Sequence, residues 1–206
     1  MRILRGPGRG LRWIAGSSSH GCWLGTYEPE VLRAFADLVR PGMVVYDVGA
    51  NVGLFTLVAA ARGARVHAFE PAPRNLHFLT AHLSRNGLAD VVSVVEGAAG
   101  RASGTARFRS ESTGLEGAID PNGTLEVSVV ALDEYPGPDP QVLKIDVEGG
   151  EADVLAGAAR MIARSRPTIF LELHPGASED GCRSSLEGWG YRIRPLGDDR
   201  RFLAAP

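Results

Sequence analysis

The sequence predicts an α/β fold, a doubly wound and mostly parallel sheet with a β-hairpin insert, and three observations carry that reading. Apolar Val44-Val45-Tyr46 runs into Asp47 and a Gly49-x-x-x-Gly53 loop. One helix length later a second apolar run, Val66-His67-Ala68-Phe69, stops at Glu70. The same run-to-acid pattern recurs at Val142-Leu143-Lys144-Ile145-Asp146 and at Thr168-Ile169-Phe170-Leu171-Glu172. Short apolar runs separated by helix-length segments read as buried parallel strands joined by crossover helices. In such sheets ligands lie outside the carboxyl ends of the strands.

The elements follow in order. Residues 1–27 form an amino-terminal arm and possible lid; Arg2, Arg5, Arg9 and Arg12 among glycines predict a solvated, partly mobile terminus. Tyr27-Glu28-Pro29 opens a helix to about Arg40, stopped by Pro41-Gly42. Strands are expected near 43–48, 65–70 and 91–95, with helices near 52–62 and 74–86 between them. Two alternating runs near 104–109 and 124–130 flank a Gly- and Ser-containing stretch and interrupt the βα order as a hairpin insert. Its polar tip, Ser110-Glu111-Ser112-Thr113-Gly114, either lines a substrate site or is a plain solvent-exposed connection. Strand 142–146, helix 150–163, strand 168–173, helix 178–188 and strands near 190–195 and 201–204 complete the sheet, all within one domain, 1–206.

Composition narrows the classes. At 206 residues and 44% hydrophobic the chain can bury one sizeable core. A net charge of −2 gives no reason to expect a nucleic-acid partner. No apolar run approaches a membrane span, so no membrane partner and a cytoplasmic location are expected. Cys22 and Cys182 lack ligand-like spacing and read as reduced thiols. Lys144 is the single lysine among 22 basic residues and sits inside an apolar run, two positions before Asp146.

The glycine spacing selects among nucleotides. A dinucleotide fingerprint beginning at Gly49 needs glycine at positions 51 and 54, where Asn51 and Leu54 stand. A triphosphate loop is absent from the sequence as well. S-adenosylmethionine has no phosphate to cradle and suits the pattern. The loop of Gly49, Asn51 and Gly53 approaches it, Asp47 takes its ammonium, Glu70 its ribose diol, and a helix start its carboxylate. Glu96-Gly97-Ala98 leaves strand three with small residues against which an adenine can lie flat. Tyr27 and Glu28, ahead of strand one, are placed to fold over the cofactor. The alternatives are an NAD-dependent oxidoreductase on the same sheet, a nucleic-acid methyltransferase sharing the cofactor, and a non-catalytic binding module.

The acceptor side is read from the later strand ends. Asp146, with Glu172 and His174 on the adjacent strand end, forms a group in which His174 or Asp146 deprotonates a hydroxyl, with Lys144 a third candidate. Asp146 lies near the sulfonium end of the pocket and is counted with the cofactor contacts too. The same residues suit a divalent cation less well, since hard-cation sites are richer in oxygen, and no metal is expected. Glu151 reads as an acid in a first helical turn. His67, His77 and His82 read as structural or solvated, and Trp23 as core.

Three segments together resemble the FkbM-type family of S-adenosylmethionine-dependent methyltransferases. They are Tyr46-Asp47-Val48-Gly49-Ala50-Asn51-Val52-Gly53, Phe69-Glu70-Pro71 with Asn75 and Asn86, and Leu143-Lys144-Ile145-Asp146-Val147-Glu148-Gly149 with Glu151. The likeness extends through Glu172-Leu173-His174 and covers about residues 20–175. It implies a class I methyltransferase (Rossmann-like) fold and O-methylation of a hydroxyl on a small-molecule acceptor, a sugar or secondary metabolite. It further implies that Gly49, Asn51, Gly53 and Glu70 contact the cofactor, while Asp146, Glu148 and His174 face the acceptor.

Overall fold

The structure, a computed structural model, describes residues 1–110, 117–174 and 178–206. The hairpin-tip residues from Glu111 to Gly114 therefore lie outside the described residues. Seven strands form the main sheet. They are β1 (Val44–Val48), β2 (Arg65–Glu70), β3 (Val92–Glu96), β8 (Val142–Ile145), β9 (Thr168–Glu172), β10 (Arg192–Leu196) and β11 (Asp198–Ala205). Their order is β10-β11-β9-β8-β1-β2-β3. All pairings are parallel except those of β11, which runs antiparallel to both neighbours. The chain builds outward from β1 through β2 to β3, then returns to β8 on the other side. The carboxyl ends of β1 and β8 thus border the crevice where the strand order reverses, the general ligand position of such sheets.

Alternation along β1 divides the core. Val45 packs with Phe35 and Ala36 of α2 (Pro29–Leu38), Leu57 and Val58 of α3 (Leu54–Ala61) and Leu79 and Leu83 of α4 (Pro73–Asn86). Tyr46 and Val48 face the other layer, with Val154 and Leu155 of α5 (Glu151–Ala156), Met161 and Ile162 of α6 (Ala159–Ser165) and Leu186 of α7 (Glu179–Gly188). α3 is buried at every position from Leu54 to Ala60, so it is a core helix whose amino end must open onto the crevice. The helix expected over 150–163 is two helices, with Gly157 and Ala158 between them.

The insert is larger than a hairpin. β4 (Ala98–Ala99), β5 (Gly104–Ser110), β6 (Gly117–Ile119) and β7 (Leu125–Val130) make a second sheet in the order β4-β7-β5-β6, with β4 parallel to β7. Two residues carry no readable period, which is why β4 is invisible in the sequence.

The amino-terminal arm packs on the body through Ile3 and Trp13, while Arg2, Arg5, Arg9 and Arg12 are exposed as expected of a solvated segment. Trp13 is fully buried and stacks on His82 of α4, ring centroids 4.1 Å apart. Arg2 and Arg12 form an antiparallel bridge, and the arm runs into a short helix, α1 (His20–Leu24). His82 Nε2 accepts the Ile14 N–H at 3.0 Å while Nδ1 donates to the Val52 carbonyl at 2.8 Å. Burial holds this imidazole's pKa below its ordinary value, which suits a neutral ring bridging arm and loop. Among the described residues no helix is long and apolar enough to cross a membrane.

Candidate active site

A cavity of about 1010 Å³ opens at the carboxyl edge of the main sheet, with one wall from the second sheet. That is at the top of the usual range for small-molecule sites, about 300–1,000 Å³. The β1–α3 loop lines it because its backbone is turned by three positive φ values, 76° at Gly49, 50° at Asn51 and 92° at Gly53. A Cβ at Gly49 would lie 1.7 Å from the Asp146 carbonyl oxygen, so no side chain fits there. Glu70 fixes the loop from the end of β2. Its Oε2 accepts the Asn51 N–H at 2.8 Å, and its Oε1 accepts from Ala72 N at 2.9 Å and Asn75 Nδ2 at 3.3 Å. Burial raises the Glu70 pKa against these hydrogen bonds, which favour the carboxylate.

Lys144 ties the two central strand ends together. Its ammonium donates to the Gly49 carbonyl at 3.0 Å and pairs with Asp146 at 3.0 Å and Asp47 at 3.4 Å. It also lies 5.2 Å from the centroid of the Phe55 ring. Burial acts to lower the Lys144 pKa, but Asp146 and Asp47 outweigh it and hold it above the ordinary value. That direction favours the ammonium form and makes Lys144 the weakest of the three candidates for the base.

His174 stands opposite, just beyond β9. Its Nδ1 contacts Glu151 Oε1 at 2.8 Å, and Nε2 lies 3.5 Å from Asp146 Oδ1, 3.5 Å from Glu148 Oε2 and 3.9 Å from Glu172 Oε1. Burial pulls its pKa down, yet Glu151, Asp146 and Glu148 overcome this and push it up to about 9. Asp146, Glu148 and His174 offer ligand atoms within 4.8 Å of one another, a spacing a divalent cation can use. The Lys144 ammonium on Asp146 already supplies positive charge at that corner.

Of the residues singled out in the sequence, Tyr27, Gly49, Asn51, Glu70 and Ala98 line this one cavity together with Asp146, Glu148 and His174. Four others do not reach it. Asp47 is fully buried, with Oδ2 taken by Thr56 Oγ1 at 2.6 Å and Oδ1 facing Lys144, so it organises the loop from behind and does not take a cofactor ammonium. Gly53 is buried under Leu79, 2.4 Å from where its Cβ would stand, and serves the turn into α3. Glu96 ends the edge strand β3 and is exposed to solvent. Glu28, at φ 41°, turns toward Arg201 at 3.5 Å in a small neighbouring cleft, where burial and the Glu172 and Asp146 charges raise its pKa to about 7.

Two contributors escaped the sequence reading. Glu151 is fully buried beneath His174 and is no solvent-facing cap. Arg201, on β11, pairs with Glu172 at 2.8 Å. Neither has a local signal; each meets its partner across 20 or more residues of chain.

Residues 47–193 match the family model described as the Methyltransferase FkbM domain. The chain belongs to the FkbM methyltransferase family. Hexuronic acid methyltransferase AglP of Haloferax volcanii is 28% identical over 155 residues, covering 72% of this chain and 63% of that protein. The 31-O-demethyl-FK506 methyltransferase FkbM of Streptomyces tacrolimicus is 51% identical over 53 residues, 25% of this chain and 20% of that protein. The chain thus spans less than two thirds of the length of these curated relatives. The crystal structure of methyltransferase FkbM from Methylobacillus flagellatus superposes with a TM-score of 0.59 at 19% identity, covering 91% of this chain and 55% of that one. An S-adenosylmethionine-dependent O-methyltransferase from Thermotoga maritima gives a TM-score of 0.53 at 12% identity, covering 86% and 65%. The class I methyltransferase fold expected from the sequence is the fold observed. Within the FkbM domain the match begins at Asp47 and ends in β10, so the packed arm, α1 and α2 lie ahead of it.

Proposed function

We propose that this FkbM-family chain is an S-adenosylmethionine-dependent O-methyltransferase acting on a hydroxyl of a small molecule, a sugar or secondary metabolite. The observation that carries the reading is a juxtaposition. The glycine loop with Glu70 and the Asp146, Glu148, His174 group open side by side into the same cavity, Gly49 and Asp146 meeting backbone to backbone. The volume accommodates a nucleoside-sized cofactor together with an acceptor. Gly49 allows close backbone approach, and Glu70 keeps an acceptor oxygen near the loop for a ribose hydroxyl. Leu54 and Phe55 open α3 at the cavity wall, where first-turn N–H groups have no intrahelical partner and suit a carboxylate. Asn51 and Leu54, where glycines are needed, speak against a dinucleotide.

When bound, S-adenosylmethionine supplies an electrophilic methyl group, so that the acceptor oxygen forms the O–CH₃ bond as the C–S bond breaks and sulfur keeps the pair. The chain's residues hold the acceptor in line, and alignment supplies much of the acceleration in such a displacement. The carboxylates of Asp146 and Glu148 orient hydroxyls. The acceptor proton leaves to His174 Nε2 or to Asp146. An acidic acceptor end and a net charge of −2 favour a small neutral acceptor over a polyanion.

The test is binding followed by transfer. Calorimetry should give micromolar affinity for S-adenosylmethionine, about −8 kcal/mol, and no comparable affinity for NAD. A mass-shift screen for single methyl additions to sugars, glycosides and polyketide alcohols then identifies the acceptor. Tight NAD binding without S-adenosylmethionine binding overturns the reading.

A further inference from the structure

Glu151 is a fully buried carboxylate with no part in the methyl transfer as described. Burying an ionised carboxylate is costly unless it is paired and hydrogen-bonded, so its partners say what it is for. An acid needed only for a helix start would face solvent. Glu151 instead turns inward: Oε1 accepts the Gly149 N–H at 3.1 Å and meets His174 Nδ1, delivered by a different element, at 2.8 Å. A carboxylate oxygen can only accept, so Nδ1 carries a proton and Nε2 is the nitrogen left to exchange one. That nitrogen lies toward Asp146 and Glu148 at the cavity wall. Asp146, the rival base, already pairs with the Lys144 ammonium at 3.0 Å.

We propose that Glu151 is the positioning residue of the acceptor-activating base, holding His174 Nδ1–H so that Nε2 takes the hydroxyl proton. The proposal rests on the O-methylation reading. In the step, the acceptor O–H bond breaks as its oxygen bonds to the methyl carbon, and the proton passes to the Nε2 lone pair of His174 in its neutral form, which predominates only above the ring's raised titration midpoint. Glu151 keeps its charge and its hydrogen bond throughout. The imidazolium so formed sits among Glu151, Asp146 and Glu148. Fixing tautomer and ring angle through the far nitrogen is what a carboxylate does for a histidine base.

The experiment has an arm that needs no acceptor. Long-range ¹H–¹⁵N spectra of the full chain with ¹⁵N-labelled histidine, His174 assigned by its loss in His174→Asn, read the tautomer of the neutral ring directly. The expected result in the wild type is an Nδ1-protonated ring above its titration midpoint. In Glu151→Gln that midpoint falls by one pH unit or more and the single-tautomer signature is lost. An Nε2-protonated wild-type ring overturns the proposal without any variant, and so does an unchanged midpoint and tautomer in Glu151→Gln. The second arm follows methyl transfer to methyl β-D-glucuronoside and methyl β-D-glucoside. Glu151→Gln should lower kcat about 10²-fold or more, the scale of a positioned base. KM for S-adenosylmethionine should hold, the acidic limb of the pH profile, where the base gains its proton and activity falls, should move with the NMR midpoint, and Glu151→Asp should recover part of the rate. Variant turnover and pH profile equal to wild type, with the NMR changes present, overturn His174 as the base. Absence of transfer by the wild type counts against the O-methylation reading, while the tautomer still decides for or against the positioning role of Glu151.

Discussion

The backbone amide of Asn51 donates to Glu70 Oε2 at 2.8 Å, so the glycine loop at the end of β1 is held by the acid at the end of β2. The same carboxylate braces the start of α4 through Ala72 N. A residue expected only to bind ribose is also a fastener of the loop.

Glu70→Ala should therefore lower S-adenosylmethionine affinity by about 1.5–3 kcal/mol, the range for hydrogen bonds involving a charged group. It should also lower the melting temperature of the cofactor-free protein. Calorimetry and a melting curve on one preparation separate the two effects. Unchanged affinity would place the ribose elsewhere.

Lys144→Met should destabilise the fold by about 3–5 kcal/mol, because removing the ammonium leaves Asp47 and Asp146 facing each other without a counter-charge. Lys144→Arg should not restore the loss, since a planar guanidinium cannot occupy the point between Asp47, Asp146 and the Gly49 carbonyl. Urea unfolding measures both. A wild-type midpoint for Lys144→Met would mean that the two carboxylates find other partners.

His174→Ala and Asp146→Asn, each assayed for turnover and for cofactor binding, separate chemistry from binding. The substitution that removes the proton acceptor should cost about 10²–10⁴-fold in turnover with cofactor affinity nearly unchanged. From the Glu151 contact, His174→Ala is expected to show the larger loss. Loss of cofactor binding in both variants would move these residues to the cofactor side.

Stability should depend on pH through the same histidine. Its folded pKa of about 9 exceeds the ordinary 6.5, so the folded state binds the proton more tightly. The stabilisation is complete below 6.5 and is lost as pH rises through 9. Glu28, raised from 4.5 to about 7, acts in the same direction over a lower window. Chemical denaturation of wild type and His174→Asn from pH 5 to 10 should give a stability difference that shrinks between 6.5 and 9. A constant difference would show that the charge on His174 is not coupled to folding.

Chelator treatment should leave turnover intact. Activity abolished by chelation and restored by magnesium would instead assign Asp146, Glu148 and His174 together to a cation.

The sheet was legible because its signals are local. Each apolar run ending in an acid identified a strand, and β1 through β2 stands within a residue or two of where the pattern put it. What failed was side-chain destination. Asp47 sits two positions after Val45 and so shares its face, beneath α3, where Thr56 waits. That alternation was present in the sequence and outweighed by the motif. Glu96 differs from Glu70 only in lying on an edge strand, which depends on sheet order and not on any residue nearby. Glu151 and His174 meet because β9 returns beside β8, a closure that no window along the chain contains.

The contact at Gly49 has a wider consequence. Since the glycine loop and the strand bearing Asp146 touch backbone to backbone, with no room even for a methyl group, the spacing between the ends proposed for donor and acceptor is set when the sheet forms. Diversification of such an enzyme toward new acceptors would then be confined to its periphery. The β5–β6–β7 wall and the segment from Ser18 to Tyr27 are where such variation would fall, whereas the two strand ends would act as a fixed die behind whatever those walls admit.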